Sequence, residues 1–298
     1  MTGRLRPGTT PPARSFAASA PRGYRLRQWL KILAVYSAIV AALAFFLFPY
    51  FWMVASSFKS PGDVTAYPPV WLFAPTLENF RELIGDMGAL SALRNSLIVV
   101  GVSTCLALIF GSMAAYALAR FKIKGKEAIA LEILMVRMLP PIVSVIPLFL
   151  LARQFGLFDT YWILIAIYTL MGLPFVVWVM RVFIQEIPRS VEEAARVDGC
   201  TRLQVLFRIS LPLMLPGLAA TVVIIFMFAW NEYLFATMLT SSAAKTLPVV
   251  AANTVKPRGI AWGVASAAGV LMSVPVVVLA LMAQRYLVRG LTFGVVKG

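Results

Sequence analysis

Hydrophobic and polar positions follow one another along this chain in long blocks. Five blocks contain no Asp, Glu, Lys or Arg, and each exceeds the roughly 20 residues that a helix needs to cross about 30 Å of hydrocarbon. A sixth block, residues 128–152, is apolar apart from Glu132 and Arg137. The pattern predicts six membrane-spanning helices. The five uncharged blocks are residues 32–55, 95–119, 160–180, 209–231 and 259–284.

Composition places the chain in the same class. Of its 298 residues, 60% are hydrophobic and only 13% are charged, which is more apolar surface than a water-soluble domain of this length needs for its core. We predict an all-α integral membrane protein whose membrane domain covers residues 30–289, between a disordered basic tail at 1–29 and a short tail at 290–298. The spans are set at about 32–55, 95–119, 128–152, 160–180, 209–232 and 262–284.

Lysine and arginine residues are distributed unevenly between the predicted loops. With the amino terminus inside, the cytoplasmic segments hold nineteen basic residues and the outer segments hold seven. Because cytoplasmic loops carry the excess of Lys and Arg, this bias predicts that both termini and the loop at 189–212 are cytoplasmic. The topology, together with attraction to anionic lipid, also explains the net charge of +15. We therefore expect no nucleic-acid partner.

The 189–212 loop contains two signals for helix starts. Ser190 with Glu193 has the spacing of a capping box, and so does Thr201 with Gln204. Gly199 lies between them, and glycine readily takes the left-handed conformation that ends a helix. The loop is predicted to form a helix of about two turns, a glycine bend and a second helix. Two roles fit such a loop: docking to a protein partner, or lying on the bilayer surface as an amphipathic helix.

The same loop carries a longer spaced pattern, which is Glu-Ala-Ala, three residues, Gly, nine residues and Ile-Ser-Leu-Pro. It resembles the EAA loop in the membrane-spanning subunits of ATP-binding cassette (ABC) importers, where a short cytoplasmic helix docks into a separate ATPase. The resemblance implies that this loop couples the chain to such an ATPase. The residues that it assigns to the contact are Glu193, Ala194, Ala195, Asp198, Gly199, Ile209, Leu211 and Pro212.

Polar residues inside or at the ends of the predicted spans are candidates for a substrate pathway. Arg137 lies about nine residues, or roughly 14 Å, into its span, where an unpaired charge is costly. It either lines the pathway or bonds to an internal partner, such as a carbonyl group freed by the two prolines that follow. Trp230, Asn231 and Glu232 end the fifth span with groups that suit a sugar. Aromatic residues also anchor helices at bilayer interfaces, so both interpretations stand.

The chain contains no pattern for catalysis. It has no histidine, which removes the commonest general base. It also lacks the GxxxxGK[ST] phosphate loop and any cluster with the spacing of metal ligands. We expect no enzyme activity, metal or cofactor in this chain, and we expect ATP and Mg to be bound by a partner ATPase. Cys105 and Cys200 fall in a span and in the 189–212 loop, so no disulfide is expected between them.

Four further passages resemble the carbohydrate-importer permeases of the maltose-transporter type, and the resemblance extends over nearly the whole chain from the first span onward. They are NSL at 95–97, GSMAAYALAR at 111–120, FAWNEY at 228–233 and GLTFGVVKG at 290–298. The RMLPP sequence at 137–141 looks more like the branch that takes polyols and disaccharides.

This second resemblance implies the type I ABC importer permease fold, in a multi-pass protein of the bacterial cytoplasmic (inner) membrane. It also implies a set of partners. These are a second permease subunit that is a different chain, two copies of an ABC ATPase, a periplasmic or lipid-anchored solute-binding protein, a sugar or polyol substrate, and membrane lipid.

Other transport classes remain open at this stage. An importer of amino acids or other small solutes would share the EAA loop and lack the four passages. An ion-coupled secondary transporter needs ionisable groups on its pathway, and only Glu132 and Arg137 are available, with no sign of paired broken helices. A channel needs a filter segment, and none stands out. The outer segments at 56–94 and 240–262 either receive a delivery protein or serve as connecting loops.

Overall fold

The computed structural model describes residues 22–256 and 259–293. Within these ranges the chain is helical apart from its loops and one antiparallel pair of two-residue strands, β1 (Val255–Lys256) and β2 (Gly259–Ile260). The α-helices are α1 (Arg22–Ser57), α2 (Pro61–Thr65), α3 (Glu78–Arg81), α4 (Ala89–Arg120), α5 (Lys126–Met135), α6 (Pro141–Gln154), α7 (Tyr161–Glu186), α8 (Arg189–Val197), α9 (Arg202–Val205), α10 (Leu211–Leu213), α11 (Leu215–Trp230), α12 (Leu234–Leu239), α13 (Leu247–Ala252) and α14 (Trp262–Phe293). Short turns of π-helix (Glu82–Asp86 and Leu206–Ser210) and of 3-10 helix (Val136–Met138) continue α3, α9 and α5.

Among the described residues, four helices are long and apolar enough to cross a membrane: α1 from Trp29 onward, α4, α7, and α14 as far as Gln284. Two pairs of helices qualify only together. Helices α5 and α6 meet at an angle of 86°, and the segment from α9 to α10 meets α11 at 88°. The six predicted spans therefore correspond to four continuous helices and two bent pairs.

The bends contradict the prediction of unbroken spans at 128–152 and 209–232. In the first, Leu139 and Pro140 are extended, with ψ of 128° and 125°, because a residue that precedes proline is disfavoured in the helical region. In the second, α11 begins only at Leu215 and has 16 residues, so the residues before it belong to the loop. The expectation that the chain has no paired broken helices is wrong.

The terminal segments differ from the prediction at the amino end. Helix α1 begins at Arg22, inside the segment 1–29 that was predicted to be disordered. Residues 1–21 lie outside the described part, and so do residues 294–298 of the predicted tail at 290–298. The chain divides into two units, residues 1–52 and residues 53–298. In the first unit the side chains from Trp29 to Phe51 are exposed, as suits a helix whose surroundings are lipid.

The core of the second unit is centred on the packing of α4 against α7, with α11 against both and α14 against α11. Gly111 of α4 allows the close approach, because a Cβ atom there would lie 2.6 Å from Cγ1 of Val176. Small residues at such contacts are typical of membrane helices, which associate largely through packing. At the end that carries the 189–212 loop, buried side chains of α4 and α7 join Leu206 and Met214 in one cluster.

Candidate functional site

As predicted, the 189–212 loop forms a helix, a glycine bend and a second helical segment: α8 comes first, and after Gly199 the chain runs through α9, a π-helical turn at Leu206–Ser210 and α10. Helix α8 ends at Val197, and Gly199 follows in the left-handed region with φ of 89°. The predicted box of Thr201 and Gln204 is present, with the backbone N–H of each bonded to the side-chain oxygen of the other at 2.8 and 3.3 Å. The box of Ser190 and Glu193 does not form, because α8 starts one residue earlier, after Pro188, and Ser190 lies inside it.

Glu192 fixes this loop to the membrane helices. Its side chain is buried and accepts hydrogen bonds from the hydroxyl groups of Tyr116 and Ser210 at 3.2 and 3.1 Å. The guanidinium group of Arg120 forms an ion pair with it at 3.0 Å. Arg120 also donates to the carbonyl oxygens of Ile184 and Ile187 at 2.6 and 2.8 Å. One carboxylate thus joins α8 to the end of α4 and to the Ile-Ser-Leu-Pro part of the loop.

Sequence reasoning missed Glu192 and selected its neighbour Glu193. The two carboxylates are adjacent, but on a helix adjacent residues point about 100° apart. Glu192 and Ala195 share the buried side of α8, whereas Glu193 is exposed. The signal in the sequence was the pair Tyr116 and Arg120, four residues apart at the end of α4, which offers two donors on one face.

The opposite side of α8 is exposed. Among the eight residues assigned to the ATPase contact, the structure exposes Glu193, Ala194, Asp198, Gly199 and Pro212, half-buries Ile209 and Leu211, and buries Ala195. Apolar side chains on the loop are exposed as well, and Val197 is 87% accessible. The loop therefore presents both carboxylates and apolar groups.

Arg137 lies in the turn that joins α5 to α6, at the 86° bend. Its guanidinium group stands 4.5 Å from the ring centre of Phe228 and 5.6 Å from that of Phe175. Such placement over aromatic faces stabilises a cation that is partly removed from water. Neither α5 nor α6 extends through the bend, so the side chain is reached from two cavities of about 260 and 100 Å³.

The smaller cavity also contains Glu232 and Tyr168. The carboxylate of Glu232 accepts a hydrogen bond from the hydroxyl of Tyr168 at 2.8 Å, and bonds from the amides of Phe235 and Ala236 at 3.0 and 3.2 Å. It therefore caps the start of α12 while one side of it faces the cavity. Arg137 and Glu232 are the two predicted pathway residues that the structure brings together.

Trp230 and Asn231 are placed differently. Trp230 is 1% exposed, its indole N–H donates to the carbonyl oxygen of Met272 at 3.0 Å, and its ring stacks on that of Phe226. Asn231 is exposed and donates to the carbonyl oxygen of Met227 at 2.8 Å. Neither residue lines the two cavities at Arg137.

The described part of the chain contains no group of three or more His, Cys, Asp or Glu side chains that could hold a metal ion. Both cysteines have free thiols. Cys105 is exposed on α4 and Cys200 is half-buried in the 189–212 loop.

A second polar cluster lies at the other end of α7, beside Asp159. The Asp159 carboxylate accepts hydrogen bonds from the amides of Ser241 and Ala243 at 3.0 Å and of Ala244 at 3.1 Å, and one from the Ser241 hydroxyl at 2.8 Å. Partial burial raises the pKa of the Asp159 carboxyl, but these bonds outweigh it and hold the pKa well below its usual range. The segment 240–247 is thereby tied to the start of α7.

Helix α4 holds the same segment from its own side. The amide group of Asn95 donates to the carbonyl oxygens of Ala243 and Lys245 at 3.0 and 2.9 Å, and the Ser96 hydroxyl accepts from the amide of Leu247 at 2.8 Å. These contacts explain the NSL passage, whose first two side chains both bond to segment 240–247. Sequence reasoning did not find this cluster, because its members are about 80 to 150 residues apart.

Replacing Asp159 by alanine should release segment 240–247. The amides of Ser241, Ala243 and Ala244 would lose their acceptor, and hydrogen exchange should show them exchanging at least tenfold faster. Asp63, which accepts from the Ser60 hydroxyl in another exposed turn, offers a control, since Asp63→Ala should leave those amides unchanged. The pKa of Asp159 is lowered in the folded protein. The carboxylate therefore stabilises segment 240–247 fully above the ordinary pKa of about 3.9, and this stabilisation is lost as the pH falls below that value. Slow exchange should therefore persist from pH 7 to about pH 4; unaltered exchange in Asp159→Ala would contradict the assignment.

Comparison with known proteins agrees with this architecture. The model of the family described as "Binding-protein-dependent transport system inner membrane component" matches residues 107–293. The probable ABC transporter permease protein y4oR of Sinorhizobium fredii is 41% identical over 86% of this chain and 92% of its own length. The trehalose/maltose transport system permease protein MalG of Thermococcus litoralis is 35% identical over 90% of this chain and 97% of its own.

Solved structures show the same fold. A chain of a bacterial ABC transporter involved in the import of the acidic polysaccharide alginate superposes with a TM-score of 0.70 at 24% identity, covering 91% of this chain and all of that one. The predicted fold of an ABC importer permease is therefore confirmed. With the family model covering more than half of the chain, this protein belongs to the family of inner membrane components of binding-protein-dependent transport systems.

Proposed function

We propose that this chain is the permease subunit of an ATP-driven importer that takes a sugar or polyol from an extracytoplasmic binding protein. The observation that carries the proposal is the 189–212 loop, a helix-glycine-helix unit that is fixed to the membrane helices by Glu192 and presents Glu193 and Val197 outward. Family membership supports the class, and the sugars named for relatives such as MalG support the cargo.

The loop is proposed to dock into one of two ABC ATPase subunits in the cytoplasm, the side that the charge bias of the chain predicts for it. ATP and Mg are then bound by those subunits, and a second permease completes the pathway. Closure of the ATPases on ATP would draw the two permease loops together and favour an outward-open state, and hydrolysis would return the permeases to an inward-open state.

The cavities at Arg137 are proposed as part of the pathway. Aromatic faces with neighbouring hydrogen-bonding groups suit a hydroxyl-rich substrate, and Phe228, Tyr168 and Glu232 stand beside Arg137 in one cavity. Within the described residues the Arg137 guanidinium makes ring contacts to Phe175 and Phe228 but no ion pair. Its N–H groups therefore remain available to substrate hydroxyl groups.

Replacing Arg137 by glutamine should lower the rate of sugar uptake at least tenfold, because the substituted side chain provides fewer donors and no charge over Phe228. Arg153 is a matched control, since its guanidinium also stands over an aromatic ring, 4.3 Å from the centre of Phe158, at the far end of α6. Arg153→Gln should transport normally. Uptake by Arg137→Gln at the wild-type rate would remove this residue from the pathway.

The test of the function is reconstitution of this chain with its partner permease, ATPase and binding protein in liposomes. Uptake of labelled disaccharides and polyols should require both ATP and the binding protein. Uptake without any ATPase would show a secondary transporter or channel instead. Uptake of amino acids in place of sugars would support an ATP-driven importer and contradict the proposal that its substrate is a sugar or polyol.

A further inference from the structure

Helix α4 connects the two polar clusters described above. At one end, Asn95 and Ser96 hold segment 240–247, and at the other end Tyr116 and Arg120 hold Glu192 of the 189–212 loop. Asn95 and Arg120 are 25 positions apart, which corresponds to roughly 37 Å along a helix at 1.5 Å per residue. The helix therefore reaches from one polar cluster to the other.

Helix α4 is also the long helix best suited to transmit a displacement. Proline interrupts the hydrogen-bond ladder of a helix and favours a kink. Helices α1, α7 and α14 contain Pro49, Pro174 and Pro275, whereas α4 has no proline. The other two candidate spans are bent by 86° and 88°. Among the described spans, α4 is the continuous one without a proline.

The joint between α4 and the loop combines apolar packing, through Leu206, with a buried ion pair. Both side chains are shielded, with exposures of 9% for Arg120 and 8% for Glu192, and separating them would leave a charge without its partner in the interior. The loop consequently cannot slide along α4 in small steps, as an apolar surface could. Glu193, next in the chain, is exposed instead.

We propose that Glu192 is a positioning residue that forces α4 to move with the 189–212 loop, and that α4 carries this displacement to segment 240–247. The inference rests on the proposed function, because it assumes that an ATPase moves the loop. It assigns separate tasks to adjacent carboxylates: Glu193 faces the partner, and Glu192 transfers the movement inward. It also explains two sequence passages, because NSL and the end of GSMAAYALAR supply the side chains that hold the two ends of α4.

The test uses the complete importer with Glu192→Gln, a substitution that nearly preserves shape and removes the charge. The variant should still co-purify with the ATPase and keep its ATP hydrolysis in the absence of binding protein. Stimulation of hydrolysis by sugar-loaded binding protein, and uptake itself, should fall at least tenfold. Asn95→Ala, at the other end of α4, should likewise lower the stimulation at least threefold. Tyr116→Phe, which loses one bond of 3.2 Å, should have a smaller effect than Glu192→Gln.

Glu186→Gln is the matched control, because Glu186 is exposed at the end of α7, close in sequence to the loop. It should behave as wild type. Full stimulation in an assembled Glu192→Gln importer would overturn the proposal, and so would full stimulation in Asn95→Ala. Loss of the ATPase from Glu192→Gln would also overturn it, since Glu192 would then maintain the docking surface. Failure of this inference can be distinguished from failure of the proposed function. If the proposed function is wrong, the wild-type chain itself will not co-purify with an ATPase.

Discussion

Replacing Gly199 by proline is expected to abolish ATP-driven uptake, with a loss of more than 100-fold, while the protein still inserts into the membrane. Gly199 has φ of 89°, and proline is locked near −65°. The turn from α8 to α9 therefore cannot form, and the docking surface at Glu193 and Val197 loses its shape. The six spans do not depend on this turn, so the yield of membrane-inserted protein should be unchanged. Co-purified ATPase and stimulation by the binding protein are the quantities to measure.

Alanine provides the graded control for this prediction. A left-handed conformation costs an ordinary residue roughly 1–2 kcal/mol, so Gly199→Ala should reduce stimulation without abolishing it. Gly125 also has a positive φ, of 70°, with no atom near its missing Cβ, and it lies before α5 outside the loop. Gly125→Ala carries similar strain and should transport normally. Wild-type stimulation in Gly199→Pro would show that the loop does not couple the chain to an ATPase.

Replacing Gly111 by leucine should prevent α4 and α7 from packing. Even the first atom of the new side chain would stand 2.6 Å from Cγ1 and 2.7 Å from Cβ of Val176, so the helices would have to separate. Overpacking of a core typically costs about 1–3 kcal/mol, and here it affects the most extensive helix contact of the fold. The purified variant should be aggregated, or should unfold in detergent at least 10 °C below wild type.

Gly101 of the same helix is the matched control, because no atom lies within 4 Å of the position of its Cβ. Gly101→Leu should retain the wild-type unfolding temperature. In the milder Gly111→Ala variant, Val176→Gly should restore stability by removing the atoms that clash. A stable, monodisperse Gly111→Leu protein would mean that α4 and α7 do not approach as described.

The hydrophobic blocks predicted the spans because the thickness of a bilayer sets a minimum length for a helix. They did not predict the ends, since α4 runs from Ala89 to Arg120 and extends past its apolar block on both sides. Polar residues outside the membrane can continue a helix, so hydropathy marks the ends of the apolar block and not the ends of the helix. Two adjacent prolines signalled the bend at Pro140. The length of an apolar run, however, does not show whether the helix axis changes direction within it.

For the 189–212 loop, the local signals at Gly199 and at Thr201 succeeded, the box of Ser190 and Glu193 did not form, and long-range contacts were missed. The left-handed turn at Gly199 and the capping box of Thr201 and Gln204 depend on neighbours within a few residues. The roles of Glu192 and Asp159 depend on partners more than 70 residues away along the chain. The two bent pairs also removed one of the two grounds against a secondary transporter, the lack of paired broken helices, and membership of the transport family now stands in its place.

The two cysteines of the chain lie on either side of the contact that Glu192 makes between α4 and the loop. Cys105 lies on α4 and Cys200 in the 189–212 loop, which are the two parts that the Glu192 joint connects. The native chain thus already holds one attachment point for a spectroscopic label on each side of that joint. A distance between the two labels that stays constant through a cycle of ATP binding and hydrolysis would mark the loop and α4 as a single mechanical body, with no cysteine added to the protein.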